Sequence, residues 1–230
     1  MQTFAEKVMD FYTRMRPPTG LPTGVEVLNP YSNKETKSLK GLFLKEFFSD
    51  SNKRILIIGI NPGRFGGGLT GVDFTDPINL EEKCGIANDL PRRHEISSEF
   101  IYEMIEAFGG PKKFYSQFFL TAASPLGLTK DEVNYNYYDD PKTLKAISKF
   151  IVTSLKAHLD FGAYRKVALV LGSENLKHIA RLNAEHGFFE ELICLHHPRY
   201  IMQYRRKSKG KYVEAYLEAL NSTVKKVVSA

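Results

Sequence analysis

Two polar groups at the ends of apolar runs carry most of the chemistry this chain can offer. The first is Asn61. It follows RILIIGI, the apolar, β-branched run at 54–60, and opens Asn61-Pro62-Gly63. The loop beyond holds glycines at 63, 66, 67, 68 and 71, a density that no helix or strand interior tolerates. It also carries an aromatic, Phe74, but no Lys-Ser or Lys-Thr pair to grip a triphosphate. An amide, an aromatic face and bare backbone make a pocket for a flat polar ring. The second group is the imidazole pair His196-His197, after Ile193-Cys194-Leu195 and before Pro198-Arg199. Each has a blander reading: Asn-Pro-Gly is good turn chemistry, and a lone His-Pro is commonly satisfied by nearby backbone. On the tripeptide alone, the turn reading of Asn61 comes first.

The elements that must position these groups follow from periodicity. Buried strands are expected at 54–60, 115–122 and 166–171, and a fourth within 188–195. Between them lie helical patterns: 2–15 ended by Pro17-Pro18, the face Leu39/Leu42/Phe43/Phe47/Phe48, Phe100 to Phe108 capped by Ser98 and ended by Gly109-Gly110, 143–159, 174–184, and a last helix from Tyr212. Residues 17–31 read as an irregular arm, 77–94 take no firm assignment, and the stretch from 199 to about 210 reads as a polar loop. Strands alternating with helices predict an α/β fold: a three-layer α/β/α sandwich with a central, mainly parallel four-stranded sheet, in one domain over 1–230. The unusual residues then fall after strand ends, where open sheets bind ligands.

Composition narrows the classes. The 230 residues hold 32 Lys plus Arg against 26 Asp plus Glu, a formal charge of +6 that suits a polyanionic partner. Cys84 and Cys194 are too few and too isolated for a disulfide framework or a zinc site, so they read as structural and the compartment as reducing and intracellular. The amino terminus lacks the apolar core of a secretory signal, and no run approaches bilayer length. Asp131, Glu132, Asp139 and Asp140 lack matching metal ligands and read as helix-start acids, so no metal and no cofactor is expected.

GINPGRFGGGLTGVDF at 59–74 resembles the first motif of the single-strand-selective monofunctional uracil-DNA glycosylases, within the uracil-DNA glycosylase superfamily. SPLGL at 124–128 sits where that family has its Pro-Leu segment, and HHPR at 196–199 resembles its His-Pro motif. The likeness covers about 54–220 and implies a monofunctional glycosylase: a flipped deaminated base in DNA is hydrolysed from its sugar, leaving an abasic site. It implies that Asn61 positions water at C1′ and that His197, with His196 as the alternative, donates to the base oxygen that gains charge. Ile60, Gly63, Phe74 and Ser124 become the base-binding set: Gly63 admits the base's 5-edge, Phe74 stacks, and Ser124 is either a base contact or a turn hydroxyl. Two departures broaden the expected substrates from uracil toward hypoxanthine and xanthine. Ala122 stands where the family has an Asn that reads uracil, and the His-Pro motif is shortened.

The segment Arg199-Tyr-Ile-Met-Gln-Tyr-Arg-Arg-Lys pairs cations with apolar side chains. A solvated basic loop is the common fate of such a run. As a DNA face, Arg199, Arg205 and Arg206 would grip phosphates, with Tyr200 in the same face, while Ile201 or Met202 fills the gap left by the expelled nucleotide. The expected form is a monomer acting on DNA with no membrane. Two other classes remain open: a doubly wound nucleotide enzyme, which the missing phosphate motifs disfavour, and a catalytically silent nucleic-acid-binding module.

Overall fold

The computed structural model describes residues 2–228. In chain order its elements begin α1 (Phe4–Arg14), β1 (Val25–Leu28), α2 (Lys34–Phe48), β2 (Arg54–Gly59), α3 (Gly67–Thr70), α4 (Pro77–Glu82), α5 (Ile96–Phe108), α6 (Pro111–Tyr115) and β3 (Phe118–Ala122). They continue β4 (Gly127–Lys130), β5 (Val133–Tyr135), α7 (Pro141–Phe161), β6 (Ala163–Leu171), α8 (Ser173–His186), β7 (Glu191–Leu195), α9 (Pro198–Tyr204) and α10 (Lys209–Val228). The central sheet has the order β3-β2-β6-β7, and every pairing in it is parallel. All six residues of β2 and all five of β3 are buried, as strands covered on both faces must be. The expected four strands are therefore present, and helices flank them.

The helices form where apolar stripes meet good ends. Thr3 and Glu6 close a reciprocal capping box on α1, whose buried stripe is Phe4, Ala5, Val8 and Tyr12. Asp140 caps α7 by accepting from the backbone of Lys142 and Thr143, and Gly162 ends it in the left-handed region at φ 117°. Gly109 does the same for α5 at φ 119°.

Several local expectations need correction. The arm at 17–31 contains a strand: β1 pairs antiparallel with β4, and β4 with β5, as a separate three-stranded sheet of order β1-β4-β5. Asp131 and Glu132 are its hairpin turn, at φ 51° and 59°, rather than helix-start acids. The glycine-rich loop winds one helical turn, α3, and 77–82 form α4. Ser98 lies inside α5 instead of capping it; its hydroxyl accepts from the backbone of Asp76 and the amide of Asn79. The polar loop after β7 is α9 followed by a 3₁₀ turn at 206–208. Leu42 is exposed on α2, and Cys194 is exposed on the edge strand, so only Cys84 is a buried structural thiol. Among the described residues no helix is long and apolar enough to cross a membrane.

What this topology does for function lies at one rim. The chain runs from β2 to β3 on one side and returns to β6 on the other, so a crevice opens past the carboxyl ends of β2 and β6. Asn175 of α8, fully buried, closes the base of that crevice. Its Nδ2 donates to the carbonyls of Ile58 (3.1 Å), Gly59 (3.0 Å) and Leu171 (3.3 Å), and its Oδ1 accepts from the Tyr137 hydroxyl at 2.8 Å. One amide thus satisfies carbonyls where two strands end and anchors the segment after the hairpin. The Gly59 carbonyl also accepts the Ala123 backbone N–H at 2.9 Å, so Asn175→Ala chiefly strips the buried Tyr137 hydroxyl of its acceptor and the strand-end carbonyls of a side-chain donor. It is expected to cost about 1–3 kcal/mol, measured by urea unfolding, and an unchanged midpoint would refute the clamp.

Candidate active site

Asn61 stands just past β2 and does not bond its own loop. Its Nδ2 donates to the Tyr135 carbonyl at 3.2 Å, and its Oδ1 accepts from the Tyr137 backbone N–H at 3.3 Å. The last residue of β5 and the segment just beyond it therefore hold the amide from both sides. One N–H and one oxygen lone pair remain for a ligand.

Phe74 reaches the same rim by a strained route. Gly71 ends α3 at φ 72°, with its carbonyl held by the Tyr31 hydroxyl at 2.9 Å, and Phe74 itself sits at φ 55°. Such a conformation is uncommon for a bulky residue and persists only where surroundings enforce it. The ring packs against Gly59: a Cβ there would lie 2.5 Å from the ring's Cζ and 2.6 Å from its Cε2. The Phe74 and His197 ring centroids are 5.8 Å apart, tilted by 46°.

His197 caps α9. Its Nδ1 accepts from the Arg199 backbone N–H at 3.1 Å, which assigns the proton to Nε2 and makes that nitrogen a donor. Burial, aided by the nearby Arg199 charge, pulls its pKa down to about 4. The imidazole is therefore neutral at physiological pH. His196 is exposed, stacked on Tyr200 and edge-on to Tyr212, and does not line the cavity.

A cavity of about 230 Å³ joins these groups, with Asn61, Gly63, Phe74, Ala122 and His197 in its wall. Glu95, the residue before α5, is in that wall too, and nothing in the sequence reading found it. Its carboxyl fills the space over two glycines: a Cβ on Gly63 would lie 2.9 Å from Oε1, and one on Gly66 would lie 1.8 Å from Oε2. Burial first, then the neighbouring Asp76 charge and more weakly Asp73, push its pKa up to about 7 against the pull of Arg199. Asp73, below Phe74, is raised to about 6 by burial, with Lys40 holding it down. A larger groove, of about 720 Å³, runs between α1 and α7 and contains none of these groups.

The remaining predicted site residues divide. Ile60, Gly63 and Phe74 line the cavity, and Arg199 and Tyr200 stand at its rim. Ser124 does not: it is fully buried, and its hydroxyl donates to the Leu126 carbonyl at 2.6 Å, the turn role rather than a base contact. Ile201 and Met202 are also corrected. Their exposures of 0% and 4% place them in the core beneath α9, where neither side chain is free to enter a duplex. Arg205 lies over the Tyr200 ring at 5.5 Å, and Arg206 is bound to the Glu99 carboxylate at 2.7 and 3.0 Å. Exposed aromatics at the rim are Tyr204 and Phe65, the latter with Arg64 at 4.7 Å and Arg93 at 5.8 Å over its ring.

Two outcomes test this geometry. Gly59→Ala is expected to displace the Phe74 ring, seen as a changed ring environment in aromatic NMR spectra; an unmoved ring would contradict the packing. His197, with a folded pKa below its unfolded value of about 6.5, favours the native state above that pH. The contribution is lost as pH falls toward 4, because the unfolded chain then takes up a proton the native ring refuses. An imidazole that titrates near 6.5 in NMR, or in the Nδ1–H form, would overturn the assignment.

Two comparisons with known proteins agree with each other. The model of the "Uracil DNA glycosylase superfamily" matches residues 46–221. The crystal structure of wild-type SMUG2 from Pedobacter heparinus is similar to this chain at 39% identity and a TM-score of 0.95, covering 98% of this chain and 100% of that one. No curated protein matches significantly.

Proposed function

Because the chain belongs to the uracil DNA glycosylase superfamily, and is by that membership a DNA-repair N-glycosylase, we propose that it excises uracil and deaminated purines from DNA by water attack at C1′. The observation that carries this reading is the meeting of the Asn61 amide, the neutral His197 donor and the Phe74 ring in one cavity.

The flipped base stacks on Phe74 and presents a carbonyl oxygen to His197 Nε2–H. As the C1′–N bond stretches, its electron pair passes into the base, and negative charge grows on that oxygen. A neutral, preorganised donor stabilises this charge more than the ground-state carbonyl, which is what lowers a barrier. Asn61, locked by the Tyr135 and Tyr137 backbone, uses its free oxygen lone pair to hold the attacking water. An amide is a poor base. It suffices here, since the base departs as a stabilised anion and the water needs placement more than deprotonation.

DNA reaches the pocket over α9 and the loop between β2 and α3. Arg199 and Arg205 offer charge to phosphates, and Tyr204 or Phe65, both exposed at the rim, takes the wedge role that the buried Ile201 and Met202 leave open. The protein acts as a monomer inside the cell, with its DNA.

The test is excision from oligonucleotides carrying uracil, hypoxanthine or xanthine, without added metal, followed by alkaline cleavage of abasic sites. Asn61→Ala and His197→Gln are each expected to slow single-turnover excision on the order of 10²-fold with little loss of DNA affinity. Binding without strand breaks at any lesion in the wild type would refute the reading. Arg205→Gln is expected to lower the slope of log K against log salt by about one; Arg206→Gln lowers it less, since Glu99 already neutralises that side chain.

A further inference from the structure

We infer that the Glu95 carboxyl, poised over Gly63 and Gly66 in the pocket of Asn61 and His197, is a general acid that protonates N7 of a bound deaminated purine. The inference rests on the glycosylase reading of this pocket and extends it to the division of its substrates.

The two classes of base leave differently. Uracil departs as an anion whose charge spreads onto its carbonyl oxygens, where one neutral donor serves. A purine parts from the sugar at N9, and the charge forms first on its five-membered ring, remote from the carbonyl at C6. That ring carries N7, a basic nitrogen for which uracil has no counterpart. Proton transfer to N7 converts the purine into a neutral leaving group. The proton passes from the carboxyl to N7, the C1′–N9 electron pair returns to the ring, and the base leaves as its neutral N7–H tautomer. Water adds to C1′ and releases its proton to solvent, which also reprotonates the carboxylate.

Glu95 meets the requirements of such an acid. It lines the cavity together with the groups that would hold base and water. Its backbone N–H is tied to the Asp76 carboxylate at 3.0 Å, yet among the described residues no hydrogen bond or ion pair engages its own carboxyl. The loop beneath it is cleared of side chains. Gly63 does not adopt a positive φ, so it is the space above that residue, filled by Oε1, that calls for glycine. The charged and titratable groups around it are Asp73 from the glycine loop, Asp76 at the start of α4, Arg199 of α9 and, in the cavity wall, His197, with His94 adjacent in the chain. Burial and the two aspartates outweigh the arginine, so the carboxyl still holds its proton near neutrality, the condition for general acid catalysis. Asp73, the other acid at the cavity, is 4% exposed, and the Lys40 charge lowers its pKa against the effect of burial.

Single-turnover excision of hypoxanthine and of uracil, from otherwise identical oligonucleotides between pH 5.5 and 8.5, tests this in wild type and Glu95→Gln. Wild-type hypoxanthine excision is expected to fall as pH rises through about 7, while uracil excision lacks that limb. Glu95→Gln, close in shape but without a proton to give, should lose the limb and slow hypoxanthine on the order of 10²-fold, shifting the hypoxanthine-to-uracil ratio at least about tenfold. A 7-deaza-hypoxanthine substrate, which lacks the accepting nitrogen, is expected to be slow in wild type and no slower in Glu95→Gln, because both changes remove one interaction. Equal slowing of uracil and hypoxanthine, an unaltered pH limb in Glu95→Gln, or a wild type that removes uracil but not hypoxanthine would each overturn the inference. Absence of uracil excision in the wild type would instead overturn the function proposed above.

Discussion

The interaction on which the rest of the molecule depends is the hydrogen bonding of the Asn175 side chain. A parallel sheet ends in carbonyls that have no next residue to pair with, and at a binding crevice those groups face either water or ligand. Here a single buried amide takes up the carbonyls of Ile58, Gly59 and Leu171 and at the same time fixes the Tyr137 hydroxyl. Tyr137 in turn supplies the backbone N–H that orients Asn61. The scaffold and the reactive amide are thus joined through two residues, with no flexible side chain between them. A site held this way needs little reorganisation when charge develops.

The second organising feature is electrostatic. Burial acts in opposite directions on an imidazole and a carboxyl, because in each case it disfavours the charged form. In this cavity it leaves His197 neutral well below pH 7 and lets Glu95 keep its proton until about pH 7. Groups that would be formal charges on the surface become neutral hydrogen-bond donors facing the cavity. Formal positive charge stays at the mouth, on Arg199 and Arg205, where the proposed reading puts a phosphate backbone.

How much of this the sequence displayed follows from the range of the interactions involved. The parallel strands announce themselves, since RILIIG at 54–59 and VALVL at 167–171 are buried along their whole length and carry uninterrupted apolar runs. Asn61 and His197 stood out as polar groups after apolar runs, but their roles and that of Phe74 came from the resemblance of 59–74 and 196–199 to a known family. The small sheet was hidden because its strands are three or four residues long and half polar; only the pairing itself, Val25 with Lys130 through Leu28 with Gly127, defines them. The helix α9 was masked by its own cations, which obscured that Ile201 and Met202 form its inward stripe. Glu95 left no local signature at all. Its role depends on Gly63 and Gly66, about thirty positions away, and the one trace in the sequence was more glycine in that loop than any turn requires.

Phe74 has a consequence of a different kind. Its left-handed backbone would suit glycine, and replacing it would ease conformational tension of order 1–3 kcal/mol while removing the aromatic platform. The ring's own packing on the core and on Gly59 opposes that gain. Backbone ease and side-chain packing therefore pull against each other at this residue, and a smaller side chain would leave a relaxed loop around an emptied wall.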